Sequence, residues 1–424
     1  MEQTVSSPCP PEAGKRRIVV IGGGYAGTTC AVTLARKLAP SDDAEVLLVE
    51  PHACQQALSE LDLVAVGPPR PEFCELWLTN VFRDSPVTVC YNRMDHLRTE
   101  DRMAILGPRG AAEQEVAYWR LVIATGAIAF VPPVPGLAEH AVTMWSVADA
   151  QELQQRIERQ FHVAAKLADR GARERALSFT VVGGGATGVE IIGTMAQLLP
   201  KRMRDVSLDP ADLHIRLVEG RPEILYDLPK PQRAKAVGRL ERLGVEIVTG
   251  SMVESVDEGV VHLASGKDLD ASVLVFCGGA HADPDATSWG LPADPAGRLL
   301  CDTACKVDGH DDIYVVGDVA AFRDPETNRT LPMLAQFAIR EAEHTAANIV
   351  RELRGKPLVP FEPSMHGEFV SIGPHWGVGW MFGINVSGRL AIVMKRLTYV
   401  LYWLQVGSFR LAWSRTRQML AMHK

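Results

Sequence analysis

The eight cysteines include no pair at the Cys-x2-Cys or Cys-x4-Cys spacing of a redox dithiol; the closest two, Cys301 and Cys305, lie late in the chain. That absence argues against thiol–disulfide chemistry, and the cysteines read as small buried apolar residues in a reducing compartment. No apolar run reaches the ~20 residues of a membrane span. The polar arm Met1–Lys15 lacks an apolar core of signal-peptide length, so a cytoplasmic location is expected. A net charge of −7 argues against a general nucleic-acid binder. No residues are assigned to a metal. Acidic residues are missing altogether from Phe369 to Lys424.

What the chain does have is one glycine fingerprint written twice, at Gly22, Gly24 and Gly27 and again at Gly183, Gly185 and Gly188. Each copy follows a β-branched run (Ile18–Ile21; Phe179–Val182) and opens a helix-compatible stretch. Such glycines allow a tight strand-to-helix turn, a close backbone approach to a diphosphate and close helix–strand packing. The helix N-terminus then offers free N–H groups and a partial positive charge. Two such cradles point to two dinucleotides exchanging electrons. An acidic residue ends the strand after each, Glu50 and Glu219, where it can bond a ribose hydroxyl. Glu219 would repel a 2′-phosphate and favours NADH; Arg221, two residues on, leaves NADPH open.

Two further strand ends are ambiguous on spacing alone. Asp311–Val316 runs into Gly317-Asp318, where a carboxylate could bond a polyol chain or simply close an acidic turn. Leu121–Ile123 runs into Ala124-Thr125-Gly126, a small-residue turn open to the same two readings.

In this order the motifs resemble the flavoproteins with two dinucleotide-binding domains, the pyridine nucleotide–disulfide oxidoreductase fold. The resemblance implies an α/β chain of two Rossmann-like domains with a C-terminal hairpin and amphipathic helical module. It implies FAD on the first cradle, at Gly22, Gly24, Tyr25, Ala26, Gly27 and Glu50, with Ala124, Thr125, Gly126, Gly317 and Asp318. It implies the nicotinamide cofactor on the second, at Gly183, Gly185, Thr187, Gly188, Glu219 and Gly279. The FAD-binding domain is expected over residues 15–135 and 282–356, the NAD(P)H-binding domain over 147–281 and the C-terminal module over 357–424.

The segment Leu331–Arg340 resembles the part of type II NADH:quinone dehydrogenases that runs beneath the flavin ring. Their Ala-Gln-x-Ala-x-Gln pattern is met by Ala335, Gln336 and Ala338, with Arg340 in place of the second glutamine. The resemblance implies contact of Phe337 with the flavin, of Gln336 with its pyrimidine edge or the acceptor, and of Glu190 with the nicotinamide–flavin junction. Otherwise Glu190 is a first-turn carboxylate favoured by the helix dipole. Arg340 is either a cation near the flavin that narrows quinone use, or an outer-face residue paired with Glu341 or Glu343. Residues Pro51–Gly67 keep the family's Val64-Ala65-x-Gly67 but not its aromatic-proline lead-in.

The acid-free tail carries Arg389, Lys395, Arg396, Arg410, Arg415, Arg417 and Lys424. Leu390, Val393, Met394, Leu397, Val400, Leu401 and Leu404 follow helical spacing, with Lys395, Arg396, Tyr399 and Trp403 toward the other side. A basic amphipathic helix with aromatics suits an anionic membrane surface, here the inner face of the cell membrane; packing on the body or a second subunit is the alternative. The reading is an FAD-dependent NAD(P)H oxidoreductase with a quinone or other small redox acceptor. Its rivals are a soluble flavoenzyme acting on a small biosynthetic substrate or dioxygen, and a redox-sensing binding protein.

Overall fold

The computed structural model describes residues 14–57, 60–67, 70–107 and 113–422. Most of the arm Met1–Lys15, Leu58 and Ser59 of the stretch after Pro51, and Lys424 lie outside the described residues.

The first Rossmann-like unit grows from β1 (Arg16–Ile21), whose residues Ile18–Ile21 are buried on both faces, as a central parallel strand requires. Helix α1 (Tyr25–Lys37) follows, then β2 (Ala44–Val49), the short helix α2 (Leu61–Val66), β3 (Thr88–Cys90) and β4 (Arg120–Ile123). A linking strand β5 (Ala127–Ala129) leads to the second unit: β6 (Ala141–Thr143), α3 (Val147–Ala164), β7 (Ser178–Val182), α4 (Ala186–Asp205), β8 (His214–Glu219), α5 (Lys230–Arg242), β9 (Val245–Thr249) and β10 (Val273–Phe276). Strand β11 (Ala280–Ala282) pairs antiparallel with β5 and returns the chain to the first unit, which β12 (Ile313–Val315) and α6 (Ala335–Leu353) complete.

The two sheets are parallel and ordered alike, β12-β4-β1-β2-β3 and β6-β10-β7-β8-β9. Each carries a three-stranded antiparallel insert, over Met94–Ala117 before β4 and over Val253–Asp270 before β10. The fold is therefore α/β with two Rossmann-like units, followed by a C-terminal module. That module is a three-stranded antiparallel sheet, β13 (Gly367–Ser371), β14 (Gly377–Met381) and β15 (Ile384–Gly388), then helices α7 (Arg389–Val406) and α8 (Phe409–Met422). It packs on both units. A Cβ at Gly193 of α4 would lie 2.9 Å from Ile372 Cα, so hairpin and helix meet at backbone distance. Tyr402 donates to Gln55 Oε1 at 2.9 Å, and Tyr402, Trp403 and Val406 join the core of the first unit.

Helix α7 corrects one expectation. Five positions of its apolar stripe, Leu390, Val393, Leu397, Leu401 and Leu404, are exposed, Val400 packs against the core of the first unit, and Lys395, Tyr402 and Trp403, expected on the other side, are buried. Lys395 and the buried Arg415 are thus interior residues, not surface cations, and Arg396 is half-buried, donating to Pro374 O at 2.9 Å. The stripe rule finds the amphipathic helix but not which face turns inward, because the opposite face, Ala391, Ile392, Tyr402, Trp403 and Val406 around the ion-paired Lys395, is itself largely apolar. No helix among the described residues is long and apolar enough to cross a membrane.

Glu352, in the last turn of α6, pins that helix to the first sheet. It accepts from Arg120 Nε at 2.7 Å, Tyr314 Oη at 3.0 Å and Lys306 Nζ at 3.1 Å. Burial pushes this carboxyl up, but the bonds and charges of Arg120 and Lys306 outweigh it and hold it below the ordinary value. A depressed folded value means the stabilisation is complete above the unfolded value and is lost as pH falls through the folded one. Glu352→Gln should therefore lose about 1–3 kcal/mol at pH 7, with melting temperatures of variant and parent converging on acidification. A difference that persists unchanged to pH 3 would count against the ion-pair account.

Candidate functional site

The two glycine loops have one geometry. Gly22 (φ +102°) and Gly183 (φ +114°) turn in the left-handed region. A Cβ there would lie 2.4 Å from Ala124 O in the first loop and 2.6 Å from Cys277 O in the second. At Gly27 and Gly188 a Cβ would strike the carbonyl oxygen of Gly22 or Gly183, at 1.7 and 1.9 Å. At Gly24 and Gly185 it would meet no protein atom within 4 Å. The middle glycine thus has no reason in the protein's own packing, which fits the approach of a ligand.

The acidic residues match as well. Glu50 Oε2 accepts from Gly23 N and Glu219 Oε2 from Gly184 N, both at 2.6 Å. Their other oxygens accept from His52 N at 2.9 Å and Arg221 N at 2.8 Å. Each carboxylate braces its loop beside the strand end. Neither α1 nor α4 has a side-chain cap or an acid in its first turn. The free N–H groups and positive dipole end stay uncompensated by protein, as a diphosphate site requires.

Around the first loop the remaining expected residues converge. Ala26 packs under Gly317, where a Cβ would lie 3.0 Å from the Ala26 methyl carbon, and Tyr25 lies against Tyr402 with ring centroids 4.9 Å apart. Thr125 Oγ1 is buried without a hydrogen-bond partner among the described residues. Burial pushes the Asp318 carboxyl up to about 6. A buried orphan hydroxyl and a desolvated carboxyl are the groups a polyol–diphosphate cofactor would satisfy, so the residues fit FAD. Glu341, which sequence reasoning placed only as a partner for Arg340, instead accepts from Gly317 N at 2.7 Å; burial pushes it up to about 8.

Around the second loop, Thr187 is exposed on the first turn of α4, and Gly279 O accepts from Phe130 N at 3.1 Å, next to the linking strands. The cleft over Gly184–Ala186 is also lined by Glu219, Arg221, Asp227 and Glu368.

Strand β13 ties the two units together. Gln336 Nε2 donates to Gly367 O, at its start, at 3.1 Å. Glu190 Oε1, reaching its end, accepts from Ser371 N at 2.9 Å, Ser371 Oγ at 3.0 Å and Lys395 Nζ at 2.5 Å. The dipole account of Glu190 fails, since it stands beyond the first turn of α4. Asp62 lies close by, accepting from Thr194 Oγ1 at 2.6 Å; burial and the charge of Glu190 push it up to about 7. Burial also raises Glu60. Sequence reasoning missed Lys395, Asp62, Glu60 and Ser371, which carry no local motif. Phe337 is buried in α6. Arg340 pairs with neither Glu341 nor Glu343; it donates to the carbonyl and hydroxyl oxygens of Ser364, because Glu341 points inward and Glu343 is taken by Gln405.

The profile of the pyridine nucleotide-disulphide oxidoreductases matches residues 16–342. The chain belongs to that family. The oxidoreductase is 26% identical over 410 residues to the type II NADH:quinone oxidoreductase of Staphylococcus epidermidis, with 95% of this chain and 98% of the relative covered. To the protein of the same name from Staphylococcus aureus it is 27% identical over 404 residues, with the same shares. Its fold is similar to that of NDH2 from Plasmodium falciparum, solved in complex with NADH, with a TM-score of 0.83 at 17% identity over 96% of this chain and 97% of that one. The oxidoreductase is a divergent member that resembles the type II enzymes. No disulfide joins the cysteines among the described residues, and burial pushes Cys30 and Cys277 up to about 12.

Gly24→Val should fold with native circular dichroism, since its side chain starts in space free of protein, yet purify without the yellow flavin absorbance. Full flavin occupancy in this variant would remove FAD from the first cradle.

Proposed function

We propose that this oxidoreductase takes hydride from NADH at the second cradle, through FAD at the first, and delivers electrons to a quinone. The observation that carries the reading is the twin, uncapped glycine loops joined at β13 by Gln336 and Glu190. Residues 15–135 with 282–356 form the FAD-binding part, 147–281 the NADH-binding part and 357–424 a docking module. Bound FAD supplies the hydride-accepting and electron-passing chemistry. The chain's residues bind, orient and exclude water. The N-terminus of α1 holds one diphosphate, Asp318 and Thr125 bond the flavin's polyol side, and Glu50 holds the loop. Glu219 favours a ribose 2′-hydroxyl over a 2′-phosphate. Glu190, Lys395 and Asp62 set the charge beside the nicotinamide–flavin junction. Arg340 tethers the 357–366 segment through Ser364 and keeps its charge off the acceptor side of α6.

Anaerobic stopped-flow mixing tests this. NADH should bleach the flavin fast and faster than NADPH, and a short-chain quinone should restore the colour catalytically. Glu219→Ala should narrow the preference by about 1–3 kcal/mol. Slow bleaching without turnover would make the protein a sensor.

The docking surface proposed for the tail rests on the outward stripe of α7, continued by Phe409 and Trp413 of α8 and by Phe382 and Ile384 at the hairpin tip, all exposed. This many large exposed apolar side chains on one C-terminal module mark an interaction site, and Arg389, Arg410 and Arg417, also exposed, suit anionic headgroups. Full-length protein should co-sediment with anionic vesicles, less so at high salt. Leu397→Gln/Leu401→Gln should lose this while keeping flavin. If the double variant instead splits a dimer and sediments unchanged, the face is a subunit interface.

A further inference from the structure

One acid at the second cradle is left unexplained by the functions assigned above. Of the carboxylates near that cleft, Glu219 is held by the N–H groups of Gly184 and Arg221, and Glu223 is paired with Arg233. Asp227 stands exposed at the rim. Glu368 differs: it enters from β13, between the residues bonded by Gln336 and Glu190, and is only partly accessible. It lines the same cleft as Gly184, Gly185 and Ala186, which lead into the uncapped N-terminus of α4.

An ionised carboxylate there would oppose a diphosphate, whereas a protonated one can donate to it. We propose that Glu368 binds the dinucleotide in its protonated form, donating a hydrogen bond to a diphosphate oxygen, so that NADH affinity falls as pH rises. This rests on the second cradle being the NADH site. Burial, with Asp227 and Glu190 adding to it, already pushes the free carboxyl up to about 7. A bound diphosphate raises it further, so a proton is taken up on binding. Affinity is then full below the free value and declines above it, by up to about tenfold per pH unit for one linked proton. The other charged groups around Glu368 are Glu219, Arg221, Glu223 and Asp227 after β8, Glu190 on α4 and Lys395 on α7. Farther along the neighbouring elements, Arg340 on α6 donates to Ser364, Lys235 on α5 donates to Ser387, and His366 stands two residues upstream. All of them remain in a Glu368 variant.

The test is the apparent Kd for NADH in flavin bleaching of the FAD-loaded protein between pH 6 and 9. ADP-ribose, which carries the diphosphate without nicotinamide, serves as competitor. Wild type should show an apparent Kd rising about tenfold or more from pH 6.5 to 8.5, with the same slope in the ADP-ribose inhibition constant. Glu368→Gln should flatten both slopes and bind NADH about tenfold more tightly than wild type at pH 8.5. Glu368→Asp, checked for flavin content, should keep a slope. Saturable bleaching with parallel profiles in wild type and Glu368→Gln overturns the role of Glu368 while leaving the NADH site standing. A slope for NADH but none for ADP-ribose overturns the diphosphate contact. No bleaching by NADH at any pH in either protein overturns the NADH site and this inference with it.

Discussion

Lys395 reaches the interior from α7 and meets Glu190 of α4 and Ser371 of β13 at one point. Desolvation alone would push its ammonium down; Glu190, with Glu60 and Asp62 behind it, outweighs that and holds it well above the ordinary lysine value. A buried charge that loses its partner is strongly destabilising, so this pair constrains everything it touches. It orients α7 with the face of Ala391, Ile392, Lys395, Tyr402, Trp403 and Val406 inward, which turns the leucines outward. It also holds the hairpin against α4, and that places β13 between the two nucleotide cradles.

The two cradles are one device used twice, down to the carboxylate that braces each loop at 2.6 Å and the carbonyl that crowds its first glycine. They differ in what faces them. The first is closed by Gly317-Asp318 and by α6, leaving a desolvated carboxyl and an orphan hydroxyl toward the space where a polyol would lie. The second is closed by β13, from a separate module, and is ringed with acids. The hairpin that lines the second cleft continues directly into the helix that presents the exposed stripe.

Much of this was legible in the chain because its signals are local. Strand, turn and helix N-terminus stand within a dozen residues of one another at both cradles, and glycine at a left-handed turn or against a carbonyl has no substitute. Gln336 was singled out by its neighbours in a motif, and in the fold it bonds Gly367 of β13. The same reasoning went astray where a partner is distant. Arg340 was weighed against Glu341 and Glu343 because they lie nearby in sequence, but Glu341 braces Gly317 and the guanidinium turns to Ser364.

The sequence by itself determined the α/β class, the duplicated dinucleotide loops, their acidic strand ends and an amphipathic tail. Each follows from residues a few positions apart, whose geometry backbone sterics and helical periodicity dictate. Only the tertiary structure decided that Lys395 is buried, that Glu190 belongs to an ion pair and that Glu368 looks into the second cleft. Glu190 and Lys395 are 205 residues apart, and Tyr402 and Gln55 are 347 apart. No local rule pairs such residues: a lysine on a helix faces water unless an unpaired carboxylate elsewhere in the fold makes the interior the better place for it.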